Sequence, residues 1–371
     1  MHKHSKLETM QQSADRRQVR KAKKRLWIGV DLGDRFSHVC FIDDDGEIVN
    51  QSRVRTGPKA MRDFFGAFAG CAIAIEASGQ SPWVSRVLNE CGLDVTVANA
   101  REVRKIHQSD RKNDRSDAET LARLLRADRT LLAPIEHRSE TMQADISALR
   151  ARDTVVRART ACINTIRGLA KTVGVQLPKC SADSFSRRVT ILIPRELQAT
   201  LSPLLETISH LSAQIKAYEK MVETLARDKY PETAALSQVT GVGALTSLAF
   251  VLTVGDKDRF PCSRDLGPYL GLVPRQYDSG DKRSQLGITK HGNSFLRRLL
   301  VNSAQYILGP FGPDCRLRRH GERLTQRGGN NAKKRAVVAV ARKLAILLHY
   351  LWKTGEIYQP LYDATQRAVA A

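Results

Sequence analysis

Acidic side chains are scarce in this chain: 38 Asp and Glu stand against 60 Lys and Arg, a formal net charge of +22 with a pI near 10.0. That balance makes a polyanion the favoured partner, because neutralising phosphates with Lys and Arg releases condensed counterions. A basic surface kept only for solubility is the weaker reading, since an excess this large also binds nucleic acid non-specifically. Metal-binding cysteine patterns are missing too. The seven cysteines, Cys40, Cys71, Cys91, Cys162, Cys180, Cys262 and Cys315, form no C-x-x-C pair and have no His at zinc spacing, so they read as ordinary reduced thiols. No apolar run approaches the roughly 20 residues that cross a bilayer, and the N-terminus lacks the apolar core of a signal peptide. These absences predict a cytoplasmic protein with no membrane partner, working at the chromosome.

What is present is enough for two or three folded domains: 371 residues, 42% of them hydrophobic. Residues 1–25 hold nine Lys or Arg against Glu8 and Asp15, with too little apolar surface to fold alone, and read as a mobile basic arm. From Leu26 the pattern turns to β-rich runs at 26–33, 36–43 and 46–55, with a tight turn at Asp44-Asp45-Gly46. Helices at about 58–68 and 81–91 alternate with strands 71–76 and 93–98, and further helical segments run to about 127. The order βββαβαβα predicts an α/β domain of RNase H-like (RuvC-like) fold over 26–135.

Residues 136–230 read as helical. Leu197, Leu201, Leu204, Ile208, Leu211, Ile215, Tyr218, Val222 and Leu225 alternate in steps of four and three, the coiled-coil period. A looser stripe, Met142, Ile146, Leu149, Val156, Ile163 and Ile166, marks an earlier helix at about 139–174. An antiparallel hairpin and an intermolecular coil fit equally well.

Residues 231–371 form a third, basic, mainly helical region. Val239-Thr240-Gly241-Val242-Gly243-Ala244 has the form of a helix-hairpin-helix turn, in which Gly241 and Gly243 let backbone N–H groups approach a phosphate. Beyond it come Leu270-Gly271-Leu272-Val273-Pro274, Ser279-Gly280, Lys290-His291-Gly292-Asn293 and Leu296-Arg297-Arg298-Leu299-Leu300. Arg275, Lys282, Arg283, Lys290, Arg297 and Arg298 surround the Ser-Gly pair and suit phosphate contacts as a group.

Four carboxylates stand out against the basic background. Asp31 ends the run Leu26 to Asp31, Glu76 ends Ala72 to Glu76, and Asp114 and Asp117 begin a helical run, with Asp114 in position to cap it. Hard oxygen donors without His or Cys favour Mg²⁺ or Mn²⁺ and phosphoryl chemistry. Singly, Asp31 reads as a turn residue and Glu76 as a paired strand-end charge; in this order, the metal reading is favoured. Gly29-Val30-Asp31-Leu32-Gly33 also resembles the phosphate loop of actin-like sugar kinases, but the duplicated domain that those enzymes need is replaced here by a helical, basic half.

Together these motifs carry a family resemblance. From about Leu26 to about Trp352 the chain resembles the DEDD transposases of the insertion-sequence one-ten family, including its eleven-eleven subgroup, which are RNA-guided serine recombinases. The resemblance rests on Asp31, Ile75-Glu76, K-x-D-x-x-D-A at Lys112 to Ala118, the G-V-G turn, L-G-L-x-P, S-G and the K-x-G-N block. It implies a RuvC-like domain, a coiled-coil linker and a C-terminal transposase domain. It also implies Ser279 as nucleophile toward a DNA phosphate, Asp31, Glu76, Asp114 and Asp117 as metal ligands, and a structured guide RNA pairing with donor and target DNA.

Without that resemblance Ser279-Gly280 reads as a turn. No local general base accompanies it, Ser263 and Ser284 are rival nucleophiles, and His291 reads as structural. The expectation is a DNA recombinase acting as a homodimer or homotetramer. Its rivals are a metal-dependent junction nuclease using the four carboxylates and water, and a non-catalytic nucleic-acid scaffold.

Overall fold

The computed structural model describes residues 25–106, 113–279 and 282–361, with side chains assigned outside 104–106 and 277–285. The basic arm through residue 24, Lys112, Gly280 and the side chains of Ser279, Lys282, Arg283 and Ser284 thus lie outside the description. The chain divides into two compact units, Met1–Glu140 and Thr141–Ala371.

The first unit is built on a five-stranded sheet of β1 (Trp27–Asp31), β2 (Phe36–Ile42), β3 (Ile48–Arg55), β4 (Ala72–Glu76) and β5 (Asp94–Ala98), in the spatial order β3-β2-β1-β4-β5. β1, β2 and β3 pair antiparallel, whereas β4 lies parallel to both β1 and β5. The β2–β3 connection turns where the sequence placed it. Asp43 Oδ1 accepts from the N–H groups of Asp45 and Glu47, and Gly46 takes the positive φ of 87°. Helices α1 (Pro58–Phe65) and α2 (Ser81–Glu90) each carry proline in the first turn, where no N–H is needed. They precede α3 (Ala100–Ile106) and α4 (Asp114–Ala127).

Because side chains alternate along a strand, the sheet has two distinct faces. One carries Ile28, Val30, Val39, Phe41, Ile73, Ile75 and Val97 and packs with Met61, Phe64, Phe65, Val84 and Leu88 of α1 and α2. The other carries small residues, Gly29, Cys40, Ala72, Ala74 and Ala98, and receives Ala118, Leu121, Ala122 and Leu125 of α4. A Cβ on Gly29 would lie 2.0 Å from the Ala118 carbonyl oxygen, so α4 rests directly on the β1 backbone.

The second unit opens with two long helices, α5 (Glu140–Thr172) and α7 (Arg195–Asp228), on either side of the short α6 (Ala182–Val189). They run antiparallel, as shown by successive contacts: Lys229 with Asp145 at 3.1 Å, Arg152 with Glu219 at 2.6 Å, and Arg159 with Ser212 at 3.1 Å. Ile166, Leu201, Leu205 and Ile208 close the far end around Phe185 and Val189. Of the two arrangements the sequence allowed, the hairpin within one chain is present. On α7 the heptad-spaced Leu201, Ile208, Ile215 and Val222 are buried. On α5 the interior positions include charge, Asp145, Asp153 and Arg159, which explains the looser apolar stripe.

The remaining helices share one core: α8 (Thr233–Ser237), the largely apolar α9 (Ala244–Val254), α10 (Leu266–Tyr269), α11 (Ser294–Leu308), α12 (Arg316–Gln326) and α13 (Ala332–Thr354), with the hairpin β6 (Pro274–Ser279) and β7 (Lys282–Ile288) reaching it through Ile288. Among the described residues no helix is long and apolar enough to cross a membrane.

Candidate functional site

Asp31 and Glu76 follow the last registered pair of two adjacent parallel strands, Val30 opposite Ile75. Strand alternation carries both to one face: 27, 29 and 31 on β1 and 72, 74 and 76 on β4 are the positions that α4 covers. The same period brings His38, paired with Asp31 across the β1–β2 ladder, to that face. The small residues behind Asp31 and Glu76 let the helix lie close, and its C-terminal half is fixed at the opposite end of the sheet, where Arg126 donates to the Asp44 carbonyl and Arg123 to that of Gly46. The N-terminus of α4 is thereby held at the strand ends.

That N-terminus carries Asp114 and Asp117 in its first turn. Here the structure corrects the expected cap. Asn113, in extended conformation, accepts from the Arg115 N–H at 3.1 Å, and Asp114 is already helical. With the cap supplied by a neutral neighbour, Asp114 is left on the surface, and its Oδ2 lies 3.7 Å from His38 Nε2. The positive end of the helix dipole stabilises both first-turn carboxylates and would equally favour an approaching phosphate. Arg53 and Arg115, with His38, line a shallow hollow of about 120 Å³ beside this edge.

The four predicted carboxylates thus share one face and one edge of the first unit. Their side chains do not converge further: among the described residues no three His, Cys, Asp or Glu groups stand close enough to hold a common ion. The donor chemistry and placement fit a hard divalent cation. His38 was not anticipated. A single histidine in Phe36-Ser37-His38-Val39 carries no signal until the ladder sets it against Asp31.

In the second unit the glycine motifs build the base of the β6–β7 hairpin. A Cβ on Gly271 would lie 2.2 Å from the His291 nitrogen, and one on Gly292 would lie 2.0 Å from the Tyr269 carbonyl oxygen, so the L-G-L and K-H-G-N segments touch backbone to backbone. Lys290 takes a φ of 58°, and its N–H donates to the Gly271 carbonyl. Asn293 Oδ1 caps α11 by accepting from Phe295 and Leu296, while its amide donates to Thr253 Oγ1 at 3.2 Å. Ser279 is the last residue of β6, registered opposite Lys282.

The anticipated phosphate contacts divide into two groups. Arg275 and Lys290 are exposed. Arg297 instead donates to the carbonyls of Leu270 and His291, fastening the hairpin base, and Arg298 pairs with Asp153 of α5. Gly241, at φ 79°, faces α11, where a Cβ would meet the Ser303 carbonyl oxygen at 3.1 Å. Only Gly243, which precedes α9, has open space. The rival Ser263 is committed elsewhere: its hydroxyl is 2.8 Å from Nδ1 of the fully buried His349, whose Nε2 lies 2.8 Å from the Lys257 carbonyl.

Two family models match the chain, the DEDD transposase model of IS110 over residues 28–174 and the transposase model of the IS116/IS110/IS902 family over 233–320. The chain is 28% identical to the transposase for insertion sequence element IS1111A of Coxiella burnetii, covering 90% of this chain and 91% of that protein. It is 29% identical to a probable family 20 transposase of Pseudomonas aeruginosa, over 90% and 98% of the two chains. With the transposase for insertion sequence element IS1328 of Yersinia enterocolitica it shares 30% identity, over 76% of this chain and 83% of the relative.

Proposed function

Because the chain belongs to the DEDD transposases of the IS110/IS116 family, and is therefore a DNA transposase of an insertion sequence, we propose that it cuts and rejoins DNA through a covalent bond to Ser279, directed by a structured RNA. The observation that carries the reading is the gathering of Asp31, Glu76, Asp114 and Asp117 on one face at one edge of the first unit's sheet. The sheet order, with three antiparallel strands followed by two parallel ones, supports an RNase H-like domain.

In the proposed reaction the Ser279 hydroxyl oxygen forms a bond to the scissile phosphorus. The deoxyribose oxygen leaves and takes up the proton that serine gives up. The diester count is unchanged, so a strand hydroxyl arriving later reverses the step, restores Ser279 and needs no nucleotide hydrolysis. A DEDD transposase implies a divalent cation, and Mg²⁺ or Mn²⁺ held by the four carboxylates would polarise the phosphoryl oxygens and offset their negative charge. The strands fix the backbone of Asp31 and Glu76 and the capped helix that of Asp114 and Asp117, so side-chain rotation alone would bring the four carboxylates toward a shared cation. Arg275 on β6 and Lys290 just beyond β7, with Arg53 and Arg115 beside the acidic edge, would hold strand phosphates. Assembly as a homodimer or homotetramer would supply the two ends that recombination joins.

The test is a labelled donor DNA carrying a nick near the scissile phosphate. A protein–DNA adduct is expected in the wild type and is lost in Ser279→Ala, a drop of about 10⁴-fold or more. Ser263→Ala, which removes the hydroxyl committed to His349, is expected to keep the adduct. A second reading, hydrolysis by the carboxylates and water as in a junction nuclease, is favoured by the presence of all four acids in one self-contained unit. Full cleavage by Ser279→Ala would establish that reading instead.

A further inference from the structure

Helix α12 carries a row of cations that has no role in the hairpin base or the acidic edge. Arg316, His320, Arg323 and Arg327 recur in steps of four, three and four, the spacing of one helical face. Lys343 of α13 lies against the same row, because α12 packs on α13 through Gly321, where a Cβ would come within 2.8 Å of Val340. The nearby acids are committed elsewhere: Asp314 pairs with Arg319 at 2.6 Å and Glu322 with Arg318 at 2.9 Å. Arg318 is also held by the carbonyls of Ile307, Gly309 and Gly312, which makes it part of the fold. Among the described residues Arg316, Arg323, Arg327 and Lys343 have no carboxylate partner.

Such a row repels itself. Partial desolvation, then Lys343, Arg323 and Arg327, hold the His320 imidazole below its ordinary value, and desolvation with Arg316 and Arg323 lowers the Lys343 ammonium. A fold that keeps like charges together without a counter-charge is relieved by a ligand that brings one. Arg316 to Arg327 spans about 16 Å at 1.5 Å per residue, the length of roughly five nucleotides of a helical strand at 3.4 Å each. A linear row suits a linear polyanion better than a compact anion.

We propose that the Arg316, His320, Arg323, Arg327 and Lys343 row binds the phosphodiester backbone of a nucleic-acid strand, positioning it without reading its sequence. The row extends past residue 320, where the second family match ends. The proposal rests on the nucleic-acid reading above, but it concerns binding alone and can be tested without strand cleavage.

The experiment is salt-dependent binding of the full chain to a duplex DNA and, separately, to a single-stranded RNA. The variant is Arg316→Gln with Arg323→Gln and Arg327→Gln, glutamine keeping helix propensity. On the strand that the row holds, the slope of log affinity against log salt is expected to fall by about 2.7 for duplex DNA or about 2 for single-stranded RNA. The nucleic acid whose slope falls identifies the source of the phosphates. A charge-matched control, Arg187→Gln with Arg188→Gln and Arg195→Gln, all exposed, is expected to leave both slopes within about one of the wild type. Arg323→Gln alone, expected to lower the slope by about 0.7 to 0.9, serves if the triple variant folds poorly. Unchanged slopes for both nucleic acids, or an equal fall in the control, would overturn the proposal. An intact Ser279 adduct alongside unchanged slopes would show that only the row had been misassigned.

Discussion

Charge is handled differently in the two units. In the first, carboxylates are brought to one edge of a sheet without clustering tightly enough, among the described residues, to hold a common ion, and Asp114 stays exposed. In the second, the prominent arginines near the hairpin are drawn into the fold. Arg297 and Arg318 hold carbonyls, and Arg298 meets Asp153 inside the pocket between α5 and α11. The difference teaches where to look for function. A charged group that the fold gathers at an open edge is available to a ligand, whereas one surrounded by carbonyls or held by a buried carboxylate is structural whatever motif it belongs to.

That contrast can be broken at several points. Asp31→Asn keeps shape and removes a charge from the acidic edge. Strand transfer is expected to fall on the order of 10²- to 10³-fold, judged by the effect of removing a single electrostatic stabiliser, while DNA affinity in a gel-shift assay stays the same. Gly29→Ala should separate the edge from its support. With the Ala118 oxygen 2.0 Å from the new Cβ, α4 must shift, and thermal unfolding is expected to show a loss of about 1–3 kcal/mol. In the second unit, Asp153→Ala strands Arg157 and Arg298, its partners. Denaturant unfolding should report a loss of about 1–3 kcal/mol, against near-neutral behaviour for the exposed Asp114→Ala. A smaller loss than that of Asp153→Ala is expected in thermal unfolding from Asn113→Ala, about 1 kcal/mol from the lost cap, with the acidic edge still formed.

Most of the first unit was legible in the sequence because period-two strands, the Asp-Gly turn and the proline-led helices are local signals. The placement of Asp31 and Glu76 followed from them. Their meeting on one face could be counted from Gly29 and Ala74, but the reason for those small residues, the seat of α4, required the packed structure. Asn113 and Asp114 are adjacent and both cap helices well, so only the observed bond to the Arg115 N–H decides between them. His38 became visible through β-ladder register. The Arg298 partner lies 145 residues away in sequence and leaves no local trace. The α12 row was present at helical spacing but was obscured by its arginine- and glycine-rich surroundings, within which no apolar stripe marked the helix face.

The claim at the centre is that carboxylates of the first unit are needed for covalent chemistry on the second. The direct measurement is peptide mapping of the product formed on nicked donor DNA with Mg²⁺, comparing wild type with Asp31→Asn at equal DNA occupancy. The expected result is a DNA phosphate on the Ser279 peptide in the wild type and almost none in the variant. Equal modification of Ser279 in both proteins, or cut ends in the wild type with no modified peptide, would contradict it.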